Sequence, residues 1–186
     1  MHPRIKQQPS LPFTACSALE QVQGRGSRGR TWQGGRGNFF LSVSFPFKPI
    51  ASNISMLPLF LGLTLRNTII DVLARAQASD DEEGSFSPFA SSLHASLRLK
   101  WPNDLLWNDK KLGGLIVEIE ADSVVVGMGV NVSSFPALED MGRGEVESTP
   151  ELRREATSLA DQLPDIQIDA QELTFHVAEA LKAWCD

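Results

Sequence analysis

The chain has 186 residues, of which 42% are hydrophobic and 22% charged, and its formal net charge is -6. These values predict one globular domain with a sizeable core. The acidic balance argues against nucleic acid as the main partner, since phosphate contacts need a basic surface. Cys16 and Cys185 lack metal-ligand spacing, and the most apolar run, residues 56–65, is too short to span a bilayer. We therefore expect a cytoplasmic protein without a membrane partner, with organellar targeting as the open alternative.

The amino-terminal part of the chain is organised around a stretch rich in glycine and arginine, residues 24–32. Residues 1–12 in front of it are predicted to form a disordered tail, and residues 13–19 a buried strand. Glycines let a ligand approach the main chain, and arginines direct guanidinium groups at an anion. Taken alone, the stretch is equally typical of a solvated linker or an RNA-binding segment. The strand predicted directly behind it, residues 38–45, favours a mobile anion-binding loop held within a fold.

A long helix is predicted after this strand, with Asn53 or Ser55 as its N-cap and Pro58 in its first turn. Apolar residues at helical spacing predict its core face, which comprises Met56, Phe60, Leu63, Ile70 and Leu73 or Ala74. Residues 78–92 are acidic and rich in serine, which predicts an exposed insertion loop. His94 and His176 have no predicted partner and no predicted role.

The second half of the chain predicts a sheet followed by helices. Strands are expected at 96–100, 105–107, 112–119 and 123–132, joined by short turns such as Asn108-Asp109. Consecutive strands with tight connections pair antiparallel, so these strands form a meander. Residues 133–150 predict a loop, and 151–163 and 169–184 predict helices, the second with Asp169 as its N-cap. The predicted fold class is therefore α+β, a mixed, largely antiparallel sheet packed with helices.

Asp104 and Lys111 are the second candidate feature of a site. They belong to the segments Trp-Pro-Asn-Asp and Lys-Leu-Gly-Gly, and a carboxylate and an ammonium on neighbouring strands can face each other. A surface salt bridge is the alternative. Glycines at 113, 114, 127 and 129 leave the strands without side chains, which predicts a slot with a backbone floor. With the arginines, this slot suits the activation of a carboxylate by a nucleotide, and Asp104 could help hold Mg²⁺.

Six segments occur in the order seen in the catalytic domains of biotin-protein ligases, and the chain resembles that family over residues 13–186. The segments are Gln21 to Trp32, Gly37-Asn38, Lys100 to Asp104, Lys110 to Glu118, Gly127 to Asn131 and Ala156 to Leu159. The resemblance implies a class II aminoacyl-tRNA-synthetase-like fold and the activity of a biotin-[acetyl-CoA-carboxylase] ligase. Such an enzyme makes biotinyl-AMP and pyrophosphate from biotin and ATP. It then transfers biotin to a lysine on the biotin carrier domain of a carboxylase.

The same resemblance implies roles for residues of this chain. Lys111, Arg25 and Asp104 would be catalytic, with Lys111 between the biotin carboxylate and the α-phosphate and Asp104 as a Mg²⁺ ligand. Gln21 would bind the biotin head group, and Trp32 would pack on the adenylate. The complete set of implied binding residues is Gln21, Gly24, Arg25, Gly26, Ser27, Arg28, Arg30, Trp32, Asn103, Lys111, Gly114, Gly127, Gly129 and, beside the adenine, Asn131.

Three departures from the family pattern are visible. Ser27 stands where the family usually has an arginine, so we expect weaker retention of the adenylate unless Arg28 or Arg30 substitutes. The family's Ser-Thr-Asn motif has no counterpart in residues 1–13, so the amino end is expected to be truncated. Neither a winged-helix DNA-binding domain nor a C-terminal β-barrel domain is expected. Lipoate or octanoate transfer, a non-catalytic biotin-binding remnant, an RNA-binding module and a homodimer stay open as alternatives.

Overall fold

The computed structural model describes residues 13–46, 54–77, 88–120, 123–135 and 155–183. Its strands are β1 (Thr14–Ser17), β2 (Gln21–Arg25), β3 (Thr31–Gly34), β4 (Phe39–Pro46), β5 (Leu97–Lys100), β6 (Asp104–Trp107), β7 (Lys110–Glu120) and β8 (Ser123–Val130). Its helices are α1 (Leu57–Gln77), α2 (Pro88–Ser96), α3 (Leu159–Gln162) and α4 (Ala170–Lys182). Short 3-10 turns cover Ser27–Gly29 and Ile54–Met56. Predictions for residues 1–12, 47–53, 78–87, 121–122, 136–154 and 184–186 lie outside the described residues, the N-cap Asn53 among them.

Six strands form one antiparallel sheet in the order β1-β4-β8-β7-β6-β5, and β2 and β3 form a separate antiparallel ribbon. The predicted meander is confirmed by the neighbouring strands β5, β6, β7 and β8. Asn108 and Asp109 connect β6 to β7 with φ values of 44° and 68°, as a tight hairpin turn requires. The helices pack with this antiparallel sheet, so the α+β fold class is confirmed.

The strand near residue 13 forms, but its predicted burial is wrong. Thr14–Ser17 lies at the edge of the sheet beside β4, and all four of its residues are exposed. Small side chains such as Ala15 fit an exposed edge as well as a core, so composition does not distinguish the two positions. By contrast, β4 is buried as expected, with Phe39 and Leu41 in the core.

The two faces of the sheet have different surroundings. Alternate residues of β8, from Val124 to Val130, are buried in the core together with residues of α1 and α4. The residues between them, which include Gly127 and Gly129, are only half-buried. Because successive side chains in a strand point to opposite faces, helices cover one face and the glycines lie on the other. The candidate site lies on this second face.

The core face of α1 differs from the predicted one. Ile70 and Leu73 are buried as expected, but Met56, Phe60 and Leu63 are exposed. The buried side is completed by Leu61, Gly62, Leu65, Ile69 and Val72. Apolar residues run around most of this helix, so their spacing alone does not select the side that meets the sheet.

The helix α1 is also longer than the apolar run at 56–65. With 21 residues, it is the one helix in the described ranges that is long and apolar enough to cross a membrane by length and composition. Leu65 and Ile69 on its inner side are buried in the core, and the helix packs against α4. The central helix of a globular fold meets the same criteria, and this packing favours that interpretation.

Residues 88–96 form α2, so the prediction of an exposed loop is wrong for Pro88 to Ser92. Leu93 is buried and anchors this helix to the core. His94 has a partner that its sequence context did not indicate, since Arg66 donates to its carbonyl oxygen at 2.8 Å and approaches its Nδ1 at 3.3 Å. Arg66 Nε also donates to Leu97 O at 2.7 Å, and partial burial lowers the Arg66 pKa. One arginine thus ties α1 to α2 and β5.

The carboxy-terminal helices agree with the prediction in part. Asp169 caps the first turn of α4 with its carboxylate, so the N-cap prediction is confirmed. His176 lies 3.8 Å from Glu172 within the same helix, a partner that was not predicted. The helix predicted at 151–163 is wrong at 155–158, where Ala156 pairs in parallel with Lys111 instead. Pairing with the sheet satisfies these backbone groups without a helix.

Candidate active site

The glycine/arginine stretch folds into the β2-β3 ribbon with a 3-10 turn at its tip, so the prediction of one continuous loop is wrong. Gly26 N donates to Arg30 O at 2.7 Å, and this bond closes the turn. Gly24 allows the two strands to approach, because a Cβ atom there would lie 2.3 Å from Trp32 O. The arginine side chain at position 30 folds back on the turn, where Nη2 donates to Ser27 Oγ at 3.0 Å.

An open cleft lies between this ribbon and the sheet. The three predicted catalytic residues and most of the predicted binding residues line it. The lining residues are Gln21, Arg25, Gly26, Ser27, Trp32, Asn103, Asp104, Lys111, Gly114, Leu115, Ile116, Gly127, Met128 and Gly129. The ribbon and the hairpin β6-β7 thus bring together segments that are about 80 residues apart in the sequence.

Lys111 and Asp104 form an ion pair in the cleft, with Nζ 2.7 Å from Oδ1. Their side chains are 25% and 19% exposed, so the pair is shielded from water but still reachable by a ligand. The two residues are not opposite each other in the sheet, since Asp104 pairs with Gly114 and Lys111 with Leu106. They meet over Gly114, where a Cβ atom would lie 3.6 Å from Asp104 Oδ1 and 3.8 Å from Lys111 Cε. These are ordinary contact distances, and the closest neighbour of such a Cβ atom would be Asn103 O at 3.1 Å.

A β-bulge places Lys111 on the cleft face. The pairing with β6 shifts between Leu105, opposite Gly113, and Leu106, opposite Lys111, so Leu112 is an extra residue in β7. Residues three apart in a regular strand point to opposite faces, and one extra residue reverses this relation. Lys111 therefore shares a face with Gly114 and lines the same cleft. The two glycines that follow Leu112 are of a type that often marks a bulge, but they do not determine its position.

The glycines of β8 form part of the cleft floor, as the sequence predicts. Trp32 rests on one of them, since a Cβ atom on Gly129 would lie 2.9 Å from its Cε2 atom. A Cβ atom on Gly127 would meet nothing within 4 Å. The Trp32 ring centroid lies 5.6 Å from Lys111 Nζ, within cation-π range. Its Nε1 atom is buried and has no hydrogen-bond partner in the described part of the chain.

Arginine 25 stands at the rim of the cleft with its side chain 82% exposed. Its Nη2 atom is 3.9 Å from Glu118 Oε2, and a pair this open to solvent contributes little to stability. The guanidinium group can therefore turn toward an anion at low cost. Arg25 and Lys111 line the same cleft, which meets the geometric condition that a shared anion site imposes.

Other predicted binding residues lie beside the cleft and do not line it. Gly24 leaves space for the Gln21 side chain, because a Cβ atom at position 24 would lie 2.7 Å from Gln21 Oε1. Arg30 is directed at Ser27, and the side chain of Arg28 is not among those described. Asn131 is buried, and its amide group donates to Thr157 O at 2.9 Å. The contact of Asn131 with adenine stays a prediction.

Ile116 lines the cleft but is not among the predicted site residues. Leu115 and Met128 also border the cleft, but their side chains are buried in the core on the other face of the sheet. Ile116 could have been found by alternation, because it follows Gly114 by two residues on β7.

The expected Mg²⁺ ion prefers oxygen ligands, chiefly carboxylates, phosphates and water. The described residues contain no group of three or more His, Cys, Asp or Glu side chains that could hold a metal ion. Among the described residues that line the cleft, Asp104 is the only one with a carboxylate. This donor set fits an ion that arrives with nucleotide phosphates and takes one protein carboxylate, as Mg²⁺ commonly does.

The model of the biotin/lipoate A/B protein ligase family matches residues 4–133 of the chain. The chain belongs to this family. Among curated members, the biotin-[acetyl-CoA-carboxylase] ligase of Paracoccus denitrificans is 31% identical over 152 residues, which are 78% of this chain and 55% of that protein. The bifunctional ligase/repressor BirA of Escherichia coli (strain K12) is 31% identical over 125 residues, 64% of this chain and 33% of that protein. The chain thus spans a third to about half of these family members.

Solved structures of the family share this fold. The biotin protein ligase of Leishmania major in complex with biotinyl-5-AMP superposes with a TM-score of 0.75 at 28% identity, covering 94% of this chain and 65% of that one. The Aquifex aeolicus enzyme in complex with biotin and ATP gives 0.61 at 28% identity, covering 97% and 63%. The α+β architecture is therefore that of the biotin-protein ligase catalytic domain, which is class II aminoacyl-tRNA-synthetase-like.

Proposed function

We propose that this chain activates biotin with ATP and transfers it to a lysine on the biotin carrier domain of a carboxylase. The observation that carries the proposal is the position of Lys111, whose ammonium lies in a glycine-floored cleft with Arg25 at the rim. The names of relatives and the ligands in solved family structures, biotinyl-AMP, biotin and ATP, support the same reaction.

In the first step, two anions must meet. A biotin carboxylate oxygen attacks the α-phosphorus of ATP, the bond to the bridging oxygen breaks, and pyrophosphate leaves. An ammonium group has three N–H donors. Asp104 takes one of them and orients the group, which leaves two for the carboxylate and the α-phosphate. The ammonium group then partly neutralises the carboxylate and the α-phosphate, at the place where negative charge develops in the transition state.

Asp104 would also hold Mg²⁺ through its second carboxylate oxygen. When bound, the ion would neutralise the phosphates of ATP and favour the departure of pyrophosphate. Arg25 would supply a further positive charge from the rim. No other acidic side chain in the cleft lining competes with these cations for the nucleotide.

In the second step, the acceptor lysine amine attacks the acyl carbon of biotinyl-AMP. The bond to the AMP oxygen breaks, AMP leaves, and the amine loses a proton as the amide forms. Water would hydrolyse the same mixed anhydride. Trp32 and the β2-β3 ribbon border the cleft, and closing them over the intermediate would exclude water.

The experiment uses the purified chain with labelled biotin, ATP and Mg²⁺, with and without a biotin carrier domain. We expect biotin-dependent pyrophosphate release without the carrier and label on the carrier when it is added. A carrier variant whose acceptor lysine is replaced by arginine should stay unlabelled while pyrophosphate release continues. Absence of both biotin-dependent pyrophosphate release and label transfer would contradict the proposal.

A second candidate function, a non-catalytic biotin-binding protein, is favoured by one observation. Ser27 is neutral and lines the cleft at the place where the family usually has an arginine. The positive charge near the adenylate is therefore smaller in this chain. Binding of synthetic biotinyl-AMP without turnover of biotin and ATP would support this second function.

A further inference from the structure

Residues 156–159 resemble a family segment, yet they have no role in the proposed chemistry. In the structure they lie next to Lys111. Lys111 N donates to Glu155 O at 2.8 Å, and Thr157 N donates to Lys111 O at 2.9 Å, so Ala156 pairs with Lys111 in parallel. This segment occupies the side of β7 that faces β8, beyond the end of β8 at Val130. It fixes both backbone polar groups of Lys111.

Thr157 is the centre of this arrangement and is fully buried. Besides its N–H, its carbonyl oxygen accepts from Asn131 Nδ2 at 2.9 Å. Its hydroxyl group donates to Asp161 Oδ2 and accepts from Gln162 Nε2, both at 2.9 Å. All of its polar groups therefore have partners, and a fully satisfied buried network favours one rigid arrangement.

The network also holds the bulge that directs Lys111 into the cleft. Asn131 N donates to Leu112 O at 2.9 Å, and Leu159 N donates to Asn131 O at 3.0 Å. Leu112 is the extra residue of the β-bulge. The backbone on both sides of the Lys111 Cα atom is thus tied, directly or through Asn131, to residues 155–159.

We propose that Thr157 is a positioning residue for Lys111, and that the segment 155–159 holds the lysine in reach of the reacting carboxylate and phosphate. The proposal rests on the proposed function for the catalytic role of Lys111. It adds to the site a segment that lies outside residues 4–133, the part matched by the family model. A shift of about 1 Å in a catalytic group can cost about 100-fold in rate, so a buried hydroxyl behind the site can matter for catalysis.

The test replaces the hydroxyl group while keeping the shape of the side chain. We expect Thr157→Val to lower kcat for biotin-dependent pyrophosphate release at least about tenfold and to change KM for biotin less than about threefold. The contact of biotin with the glycine floor does not depend on where the Lys111 ammonium lies, so KM should change little. Stabilisation of negative charge in the transition state does depend on the ammonium position, so kcat should fall. Thr157→Ser keeps the hydroxyl and should recover most of kcat.

Thr174→Val is the matched control. Thr174 is also buried, and its hydroxyl donates to Ala170 O within α4 at 2.7 Å, away from the cleft. Thr174→Val loses one hydrogen bond of the hydroxyl and Thr157→Val loses two, so both should lower the melting temperature. Only the Thr157 variant should change kcat.

A second measurement does not depend on activity. Amide hydrogen exchange at Lys111 and Thr157 should become about tenfold faster in Thr157→Val, relative to amides of β8, and should not change in Thr174→Val. Equal kcat in the two valine variants, no recovery in Thr157→Ser, or unchanged exchange at Lys111 would overturn the positioning role. If the unsubstituted chain releases no pyrophosphate, the proposed function fails, and the exchange rates still decide whether Thr157 holds Lys111.

Discussion

Lys111 and Asp104 meet over Gly114, and their ion pair depends on the direction in which the backbone aims each side chain. Gly114 is opposite Asp104 in the sheet, and a bulge at Leu112 turns the lysine to the same face. At Gly129, by contrast, the missing side chain leaves the space that the Trp32 ring occupies. Single substitutions at the lysine and at the glycines of β8 test these two effects.

The first prediction concerns the charge at Lys111. Lys111→Ala should lower the rate of biotinyl-AMP formation by about 100-fold to 1000-fold, the usual cost of removing one transition-state donor. The fold should survive, because Asp104 can take up water at the open cleft. Pyrophosphate release and the melting temperature would be measured together.

Lys110→Ala is the control. The Lys110 ammonium lies 3.2 Å from Glu155 in a solvent-exposed pair, so the rate of this variant should stay near that of the unsubstituted chain. Equal rates in the two variants would refute the role of Lys111.

The second prediction uses two glycines of one strand. Gly129→Ala would place a methyl group against the Trp32 ring and should cost about 1–3 kcal/mol of stability or displace the ring. Gly127→Ala meets no protein atom within 4 Å and should leave stability unchanged or slightly higher. Urea unfolding and tryptophan fluorescence would record the difference. Both variants should bind biotin more weakly, because each methyl group enters the cleft. Undiminished biotin binding in Gly127→Ala would show that the ligand does not approach this floor.

The chemical types in the site could be predicted from sequence more fully than their arrangement. Glycines, arginines and the Asp104/Lys111 pair are recognisable because their residue types restrict what they can do. The position of the bulge at Leu112 could not be predicted, although the two glycines that follow it are of a type that often accompanies bulges. The position of Thr157 was missed because it results from pairing with a strand distant in sequence. Its N–H donates to Lys111 O, although the two residues are 46 positions apart in the chain.

Among the elements, those whose conformation depends on a few residues nearby in sequence were predictable. Those whose conformation or buried face depends on contacts with other elements were not. The hairpin at Asn108-Asp109 follows from residues that tolerate positive φ, and the cap at Asp169 from one carboxylate. By contrast, α1 is apolar on most sides, so the sheet selects its buried face. Residues 155–158 carry no strong signal, and their pairing with β7 decides their conformation.

The third prediction concerns the junction of α1, α2 and β5. Arg66→Met should destabilise the protein by about 1–3 kcal/mol, because the carbonyl groups of His94 and Leu97 lose a charged donor. Arg66→Lys should not restore full stability, since an ammonium cannot reproduce the planar fork that reaches both carbonyl groups. Arg75→Met, at the exposed end of the same helix, should change stability by less than about 0.5 kcal/mol. Urea unfolding measures all three variants, and equal values for positions 66 and 75 would contradict this account.

In the whole molecule, the two faces of one sheet have different roles. Its inner face packs with α1 and α4 and supplies the stability, while its outer face carries glycines, the ion pair and the ribbon. The chain is acidic overall, yet four of its eleven arginines lie within residues 25–36, in and beside the ribbon. This distribution suits an anionic small ligand better than an extended nucleic acid. A ligand bound between ribbon and sheet would stabilise the fold as one unit, because both walls belong to it.

The fourth prediction uses this linkage to separate biotin from lipoate, the two acyl groups of the family. A ligand at about 100 times its Kd adds about 2.7 kcal/mol to the free energy of unfolding. For a domain of this size, that corresponds to a rise of about 5–10 °C in melting temperature. Biotin should produce this rise and lipoate should not at the same concentration. Biotinyl-AMP should add more than biotin, because its phosphate adds a contact with Lys111 and its adenylate contacts the ribbon.

The control for this measurement is Gly127→Ala, which keeps the fold but intrudes on the floor of the cleft. Its melting temperature without ligand should match the unsubstituted chain, and its response to biotin should be reduced. A biotin response that survives this variant unchanged would place the ligand elsewhere on the molecule. A larger response to lipoate than to biotin would instead assign the chain to the lipoate branch of the family, with the same Lys111 cleft activating a different carboxylate.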